Sequence, residues 1–221
     1  MSVSFQQIST HQLFASRARG QGKSARTRAR LMDAAVEVFA RQGIEAASVN
    51  EIAQLADVAN GTFYNHFKDK DAIVGVVAFA IAGDVAQRLD EAMADLEDAA
   101  ERTSFATRQF VELATSAPDW GRALVRAVWY LPELRRQVSA FARADIERGV
   151  KSGVFKVELD DFLVDLFASL VVMTVFLRLE GEAGPDAGAH AAEHQLRMLG
   201  VSPARAKRVA WRELAPLTLV D

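Results

Sequence analysis

The chain contains no cysteine. Disulfides, thiol nucleophiles and thiolate-bound zinc are therefore excluded, and nothing requires an oxidising compartment. Long apolar runs are also missing. The two longest uncharged ones, Ala72–Gly83 and Leu166–Leu177, have 12 residues each, whereas a membrane span needs about 20. The first residues, MSVSFQQISTHQLF, lack the positive n-region and long apolar h-region of a signal peptide. These absences predict buried helices of a soluble, cytoplasmic protein with no membrane partner. There is no period-2 strand pattern, internal repeat or low-complexity tract. Neither a G-x-G-x-x-G, a P-loop nor a G-x-S-x-G is present. No catalytic residue, metal site or cofactor is expected, and the chain does not read as an enzyme.

What is present is apolar and helical. Half of the 221 residues are hydrophobic, enough to bury a core and more than a disordered chain carries. At roughly 100–200 residues per domain this is one or two domains. The net charge of −3 hides an asymmetry. Residues 1–71 carry nine Lys and Arg against seven Asp and Glu, whereas residues 72–221 carry 17 against 22. Arg17, Arg19, Lys23, Arg26, Arg28 and Arg30 lie together with no acid among residues 17–30. Such a stretch is either a polyanion contact, its arginines reaching into a minor groove, or a solvated tail.

Helical signals follow one another closely. Leu31, Ala35, Val38 and Phe39 share one face, and Gly43 with Ile44 supplies a helix stop. Ser48-Val49-Asn50-Glu51 is a capping box that opens a helix of about two turns, with Val49, Ile52, Ala53 and Ala56 on one side. Asp57-Val58-Ala59 breaks it. A third short helix runs from about Asn60 to Phe67, with Phe63 and Phe67 facing inward. Asp69 caps one long helix over residues 70–99, with Ile73, Val76, Val77 and Ala80 inside. Pro118 and Pro132 separate helices at about 104–116, 119–131 and 133–151. Asp160–Glu180 is apolar almost all round and must be covered on several sides. Glu182–Gly188 reads as a loop, and Ala189–Leu199 and Pro203–Leu214 as the last helices.

Two short, tightly turned helices behind a supporting one make a helix-turn-helix. The second helix of such a pair presents its N-terminal residues to base edges in the major groove. Here its outer edge is polar: Asn60, Thr62, Tyr64, Asn65 and His66. Gly61 removes a side chain where DNA must come close, and Lys68 and Lys70 place charge at the rim.

At these residues the chain resembles a known family. SVNEIAQLADVANGTFYNHFKDKDAIV, with the preceding RARLMDAAVEVFARQGIEAAS, looks like the signature of TetR (tetracycline-repressor-like) transcription regulators. The resemblance covers about residues 24–75. One departure is Asp57, where the turn usually has glycine; Asp tolerates the left-handed conformation better than most residues. The resemblance implies an all-α chain of three parts: a basic arm over 1–23, a DNA-binding domain over 24–70, and an effector-binding and dimerisation domain over 71–221. It implies phosphate contacts from Thr62, Tyr64, His66 and Lys70, and base contacts near Val49, Asn50, Asn60 and Gly61. It also implies a homodimer through helices at about 160–180 and 189–199, and release from a pseudo-palindromic DNA operator when an effector binds. The aromatic content of residues 104–180 suggests a hydrophobic small molecule, with Phe110, Arg126, Trp129 and Tyr130 as candidate contacts.

Two other readings compete. His190-Ala191-Ala192-Glu193-His194 matches the H-x-x-E-H of inverted zinc proteases, which would make a zinc-binding helical hydrolase. A third ligand is hard to supply, because only 27 residues follow and Glu213 is the one Glu among them. A helical protein-interaction module could use the acidic face of residues 84–101, but it leaves residues 60–66 unexplained.

Overall fold

The computed structural model describes residues 13–130 and 132–214. Among them are eleven helices and no strand. In chain order these are α1 (Leu13–Arg17), α2 (Lys23–Gln42), α3 (Val49–Leu55), α4 (Asn60–Tyr64), α5 (Lys70–Ala92) and α6 (Ala99–Ser116). They continue with α7 (Pro118–Tyr130), α8 (Pro132–Lys151), α9 (Asp161–Leu179), α10 (Ala187–Met198) and α11 (Pro203–Ala210).

Local chemistry sets most of the boundaries. The Ser48 hydroxyl accepts the Glu51 amide at 3.2 Å while the Glu51 carboxylate accepts the Ser48 amide at 2.9 Å, the reciprocal capping box. Asp69, Asp98 and Asp160 cap α5, α6 and α9 through side-chain oxygens. Gly43 closes α2 at φ 82°, a conformation few other residues adopt, and its amide bonds to the Phe39 carbonyl.

Several expectations from the sequence need correction. The single helix expected over 70–99 is two, α5 and α6. Acids crowd the C-terminal end of α5, where the helix dipole disfavours them, and Asp98 starts a new helix by accepting the Ala100 and Glu101 amides. Arg102 then turns back to the end of α5, donating to the Met93 carbonyl and, at 2.5 Å, to Asp90. The loop read over 182–188 ends early, since α10 begins at Ala187. The basic arm is partly folded: α1 lies on α2, with Phe14 and Ala18 buried. Both Asp33 carboxylate oxygens accept α1 amides, from Phe14 at 2.9 Å and Ala15 at 2.8 Å. The remainder of the arm before residue 13 lies outside the described residues.

Two apolar cores result. The larger runs without interruption from the first helices into the C-terminal part. Leu31, Ile52, Phe63, Ile73, Val77 and Ile81 belong to it, together with Val111, Leu124 and Val175. The edge-to-face pair of Phe39 on α2 and Trp120 on α7, 5.9 Å apart, is one of its seams. The second core gathers Ala99, Ala100, Ile146, Phe155, Phe167, Leu196 and Leu199. A buried polar link braces it: Thr107 donates to the Gln195 amide oxygen at 2.6 Å, and Gln195 donates to the Phe167 carbonyl at 3.0 Å.

Two helices, α5 and α9, are long and apolar enough to cross a membrane by length and composition, because one or two charges do not interrupt such a stretch. The 12-residue limit drawn from uncharged runs was too strict. In α5 the apolar face is taken up by the protein's own core. In α9 one stripe remains open: Phe162, Leu166, Met173 and Phe176 are all exposed, Phe162 by 72%.

Candidate nucleic-acid interface

The interface is built on two buried phenylalanines. Phe63 and Phe67 sit one turn apart in the larger core, with ring centroids 5.6 Å apart. They fix the inner side of α4 and the turn after it. The outer side is thereby turned to solvent. Asn60, Gly61, Tyr64 and Asn65 are exposed, and Thr62 and His66 are half-buried beside them. A Cβ on Gly61 would meet no atom of the protein within 4 Å, so the chain's own packing does not require glycine there. The bare backbone of Gly61 faces solvent at the start of α4. On α3, Asn50 is exposed and Val49 half-buried against the core.

The turn between α3 and α4 is held from α2. Asp57 has φ 54°, the left-handed conformation that its position in the turn requires. Arg30 reaches across to donate to the Ala56 carbonyl, to the Asp57 carbonyl at 3.2 Å and to the Asp57 carboxylate at 3.4 Å. The sequence signal for this brace was present as one of six basic residues, but nothing local distinguishes Arg30 from its neighbours. Arg28 lies 4.9 Å over the Phe67 ring, a cation–π contact. Its burial pulls the guanidinium below the ordinary arginine range. Thus two of the six basic residues brace the fold, while Arg19, Lys23 and Arg26 stay exposed.

Lys70 differs from its expected role. Its ammonium donates to the carbonyls of Ile44 at 2.9 Å, Glu45 at 3.0 Å and Ala47 at 3.1 Å. All three donors are occupied, and Lys70 ties the start of α5 to the loop that leads into the capping box. The Glu51 carboxyl in that box is held below the usual carboxylate range, first by the hydrogen bond from the Ser48 hydroxyl and then by the Ser48 amide.

The candidate effector contacts are carried by α6 and α7. Phe110 packs against the larger core. Trp129 is exposed, and Arg126 is exposed beside Asp71 at 4.0 Å. The side chain of Tyr130 lies outside the described residues. His190 stacks edge-on against Trp211 at 4.8 Å, and Glu193 is engaged by Trp211 at 2.8 Å and Arg197 at 2.7 Å. His190 and His194 line a groove between α9 and α10, with Leu170, Thr174 and Leu177. Among the described residues no three His, Asp or Glu side chains are grouped to hold a metal.

Comparison with known proteins decides the family. Residues 31–77 match the model of bacterial regulatory proteins of the tetR family, and residues 98–212 match that of the tetracyclin repressor-like C-terminal domain. The chain belongs to the TetR family. It is a ligand-responsive, DNA-binding transcription regulator, and the hydrolase reading has no support. The HTH-type transcriptional repressor KstR2 of Rhodococcus jostii (strain RHA1) is 30% identical over 148 residues, covering 63% of this chain and 72% of that protein. The fatty acid metabolism regulator protein of Bacillus subtilis (strain 168) is 29% identical over 140 residues, covering 59% and 71%. The crystal structure of RolR in complex with resorcinol superposes with a TM-score of 0.77 at 27% identity, covering 89% of this chain and 98% of RolR. TetR regulators bind operator DNA and small-molecule effectors and act as dimers.

Proposed function

We propose that this protein is a homodimeric repressor that leaves a pseudo-palindromic operator when a small molecule with a largely apolar body binds. It acts in the cytoplasm and needs no turnover chemistry. The observation that carries the reading is the polar outer edge of α4, held rigidly on Phe63 and Phe67 with Gly61 bare at its start. Asn60 and Asn50 are the base readers, since an Asn amide can pair with an adenine edge. Val49 and Gly61 give apolar and backbone contact. Thr62, Tyr64 and His66 bond phosphates. Lys70 supports them by holding the 44–47 loop, and its charge lies at the rim of the same face.

The exposed stripe of α9 supports pairing of two copies through α9 and α10. In a dimer the two reading helices would enter successive major grooves about 34–36 Å apart. An effector acts by changing that spacing. α5 is the natural lever, because it starts at the reading head and ends about 34 Å away by its helical rise. RolR bound to resorcinol supports a small effector. Among the sequence-derived contacts, Phe110 is the best placed for an apolar body, and Arg126, Trp129 and Tyr130 stand as candidates on α7.

Selection of genomic fragments by the purified protein at about 150 mM salt tests the reading, because phosphate-only binding fades there. A palindromic site should be recovered. Tyr64→Ala should weaken binding on every sequence alike, whereas Asn60→Ala should change base preference by about 1–3 kcal/mol at one position of each half-site. No enriched sequence, with or without added effector, overturns the proposal.

A further inference from the structure

A cluster of four charged side chains lies where the C-terminal end of α5 meets α6 and α8. Arg102 is almost completely buried, its side chain 5% exposed. Two of its nitrogens serve the Met93 carbonyl and Asp90. Its Nε–H has no hydrogen-bond partner among the described residues. Asp90 also faces Arg148 at 3.8 Å, and Arg148 faces Asp145 at 3.4 Å. Asp145 lies within electrostatic reach of both Arg102 and Asp90, and burial pushes its carboxyl above the ordinary range. The adjoining Asp98 has its own partner in Arg205.

A buried donor with no acceptor is costly, and native proteins rarely leave one without a reason. Burial falls off across the cluster: the Asp145 side chain is 24% exposed and that of Asp90 61%. The cluster thus runs from an exposed carboxylate at Asp90 to the unpartnered Nε–H of Arg102 at its inner end. Met93, whose carbonyl Arg102 engages, belongs to the larger core, and Ile146, next to Asp145 in the chain, to the smaller.

We propose that this cluster is the effector's polar anchor, and that it takes the hydroxyl group of a small neutral molecule. The inference rests on the reading of the protein as an effector-released repressor. Charge selects the class: two carboxylates oppose two guanidinium groups, so the cluster offers an anion no net attraction. A hydroxyl can accept from Arg102 Nε–H and donate to Asp145 at once, which neither a hydrocarbon nor a carboxylate can do. The anchor sits at the far end of α5 from the reading head, so an occupant presses directly on the helix proposed as the lever.

The test titrates the full-length protein with phenol, resorcinol, cyclohexanol, toluene and benzoate, calorimetrically and by release of the selected operator fragment. Hydroxylated probes should bind at least about tenfold more tightly than toluene or benzoate. Asp145→Asn and Arg102→Lys should each weaken them roughly ten- to a hundredfold, the range for hydrogen bonds to charged groups. Arg102→Lys keeps a cation at the end of α5, so it guards against a variant that fails to fold. The inference is overturned if no hydroxylated probe binds, if both variants bind like the parent, or if benzoate binds best. Operator binding measured on the same preparation separates the two readings: intact DNA binding with no probe binding sinks the anchor alone, whereas absent DNA binding sinks the repressor.

Discussion

Helices α5 and α9 are close to twins in sequence and opposites in the fold. Both are long and apolar, and both start on an aspartate that caps the first turn: Asp69 accepts the Ala72 amide at 2.8 Å and Asp160 the Leu163 amide at 2.7 Å. Yet 56% of the most apolar window of α5 is buried against 33% of that of α9. Local chemistry cannot account for the difference. α5 is surrounded by α2, α6, α7 and α8 of its own chain, whereas α9 keeps a stripe from Phe162 to Phe176 that stays exposed among the described residues. Equal hydrophobicity thus has two outcomes, a helix built into a core and a helix with an open apolar face of the kind that marks interaction surfaces.

The largest effect separates these outcomes. Ile81 is fully buried in α5, and Ile81→Ala should cost about 2–5 kcal/mol of stability. Denaturant unfolding should show the same loss at every protein concentration. Met173→Glu with Phe176→Glu on α9 should leave the monomer folded but weaken self-association by about a hundredfold or more, given what central apolar contacts contribute to interfaces. Sedimentation would measure this, and a double variant that remains dimeric would falsify the partner surface. Next come the matched caps. Asp69→Ala and Asp160→Ala should each cost about 1 kcal/mol, and thermal melts that differ widely between them would break the claim that the two helix starts are equivalent. The smallest effect is in the turn before α5. Asp57→Gly relieves the left-handed backbone and should raise stability by up to about 1 kcal/mol. A lower urea midpoint would mean that the Arg30–Asp57 contact outweighs that strain.

Much of the reading head was legible in the residues. Ser48 and Glu51 form the expected box, Phe63 and Phe67 face inward, Asp57 takes the left-handed turn and Asp69 caps α5. All of these depend on neighbours within about four positions, so sequence spacing carries them. What was missed depends on distant partners. Lys70 looks like a free cation until the carbonyls of residues 44–47 are brought to it. Arg30, Arg28 and Asp33 look like ordinary surface charges until the turn, the Phe67 ring and the α1 amides arrive beside them. The break at residues 93–98 follows the same pattern, since it is completed by Arg102 folding back onto the end of α5.

By itself the sequence determined an all-helical chain, its N-terminal reading head and its membership of the TetR family, because caps, stops and helical periodicity act over a few residues. Only the tertiary structure decided which charges are free to meet DNA, which apolar helix is a core and which an open face, and that Arg102 holds a buried donor without an acceptor among the described residues. Those outcomes depend on groups tens of residues apart meeting in space. Burial and pairing belong to the packed molecule and cannot be read from any one stretch of the chain.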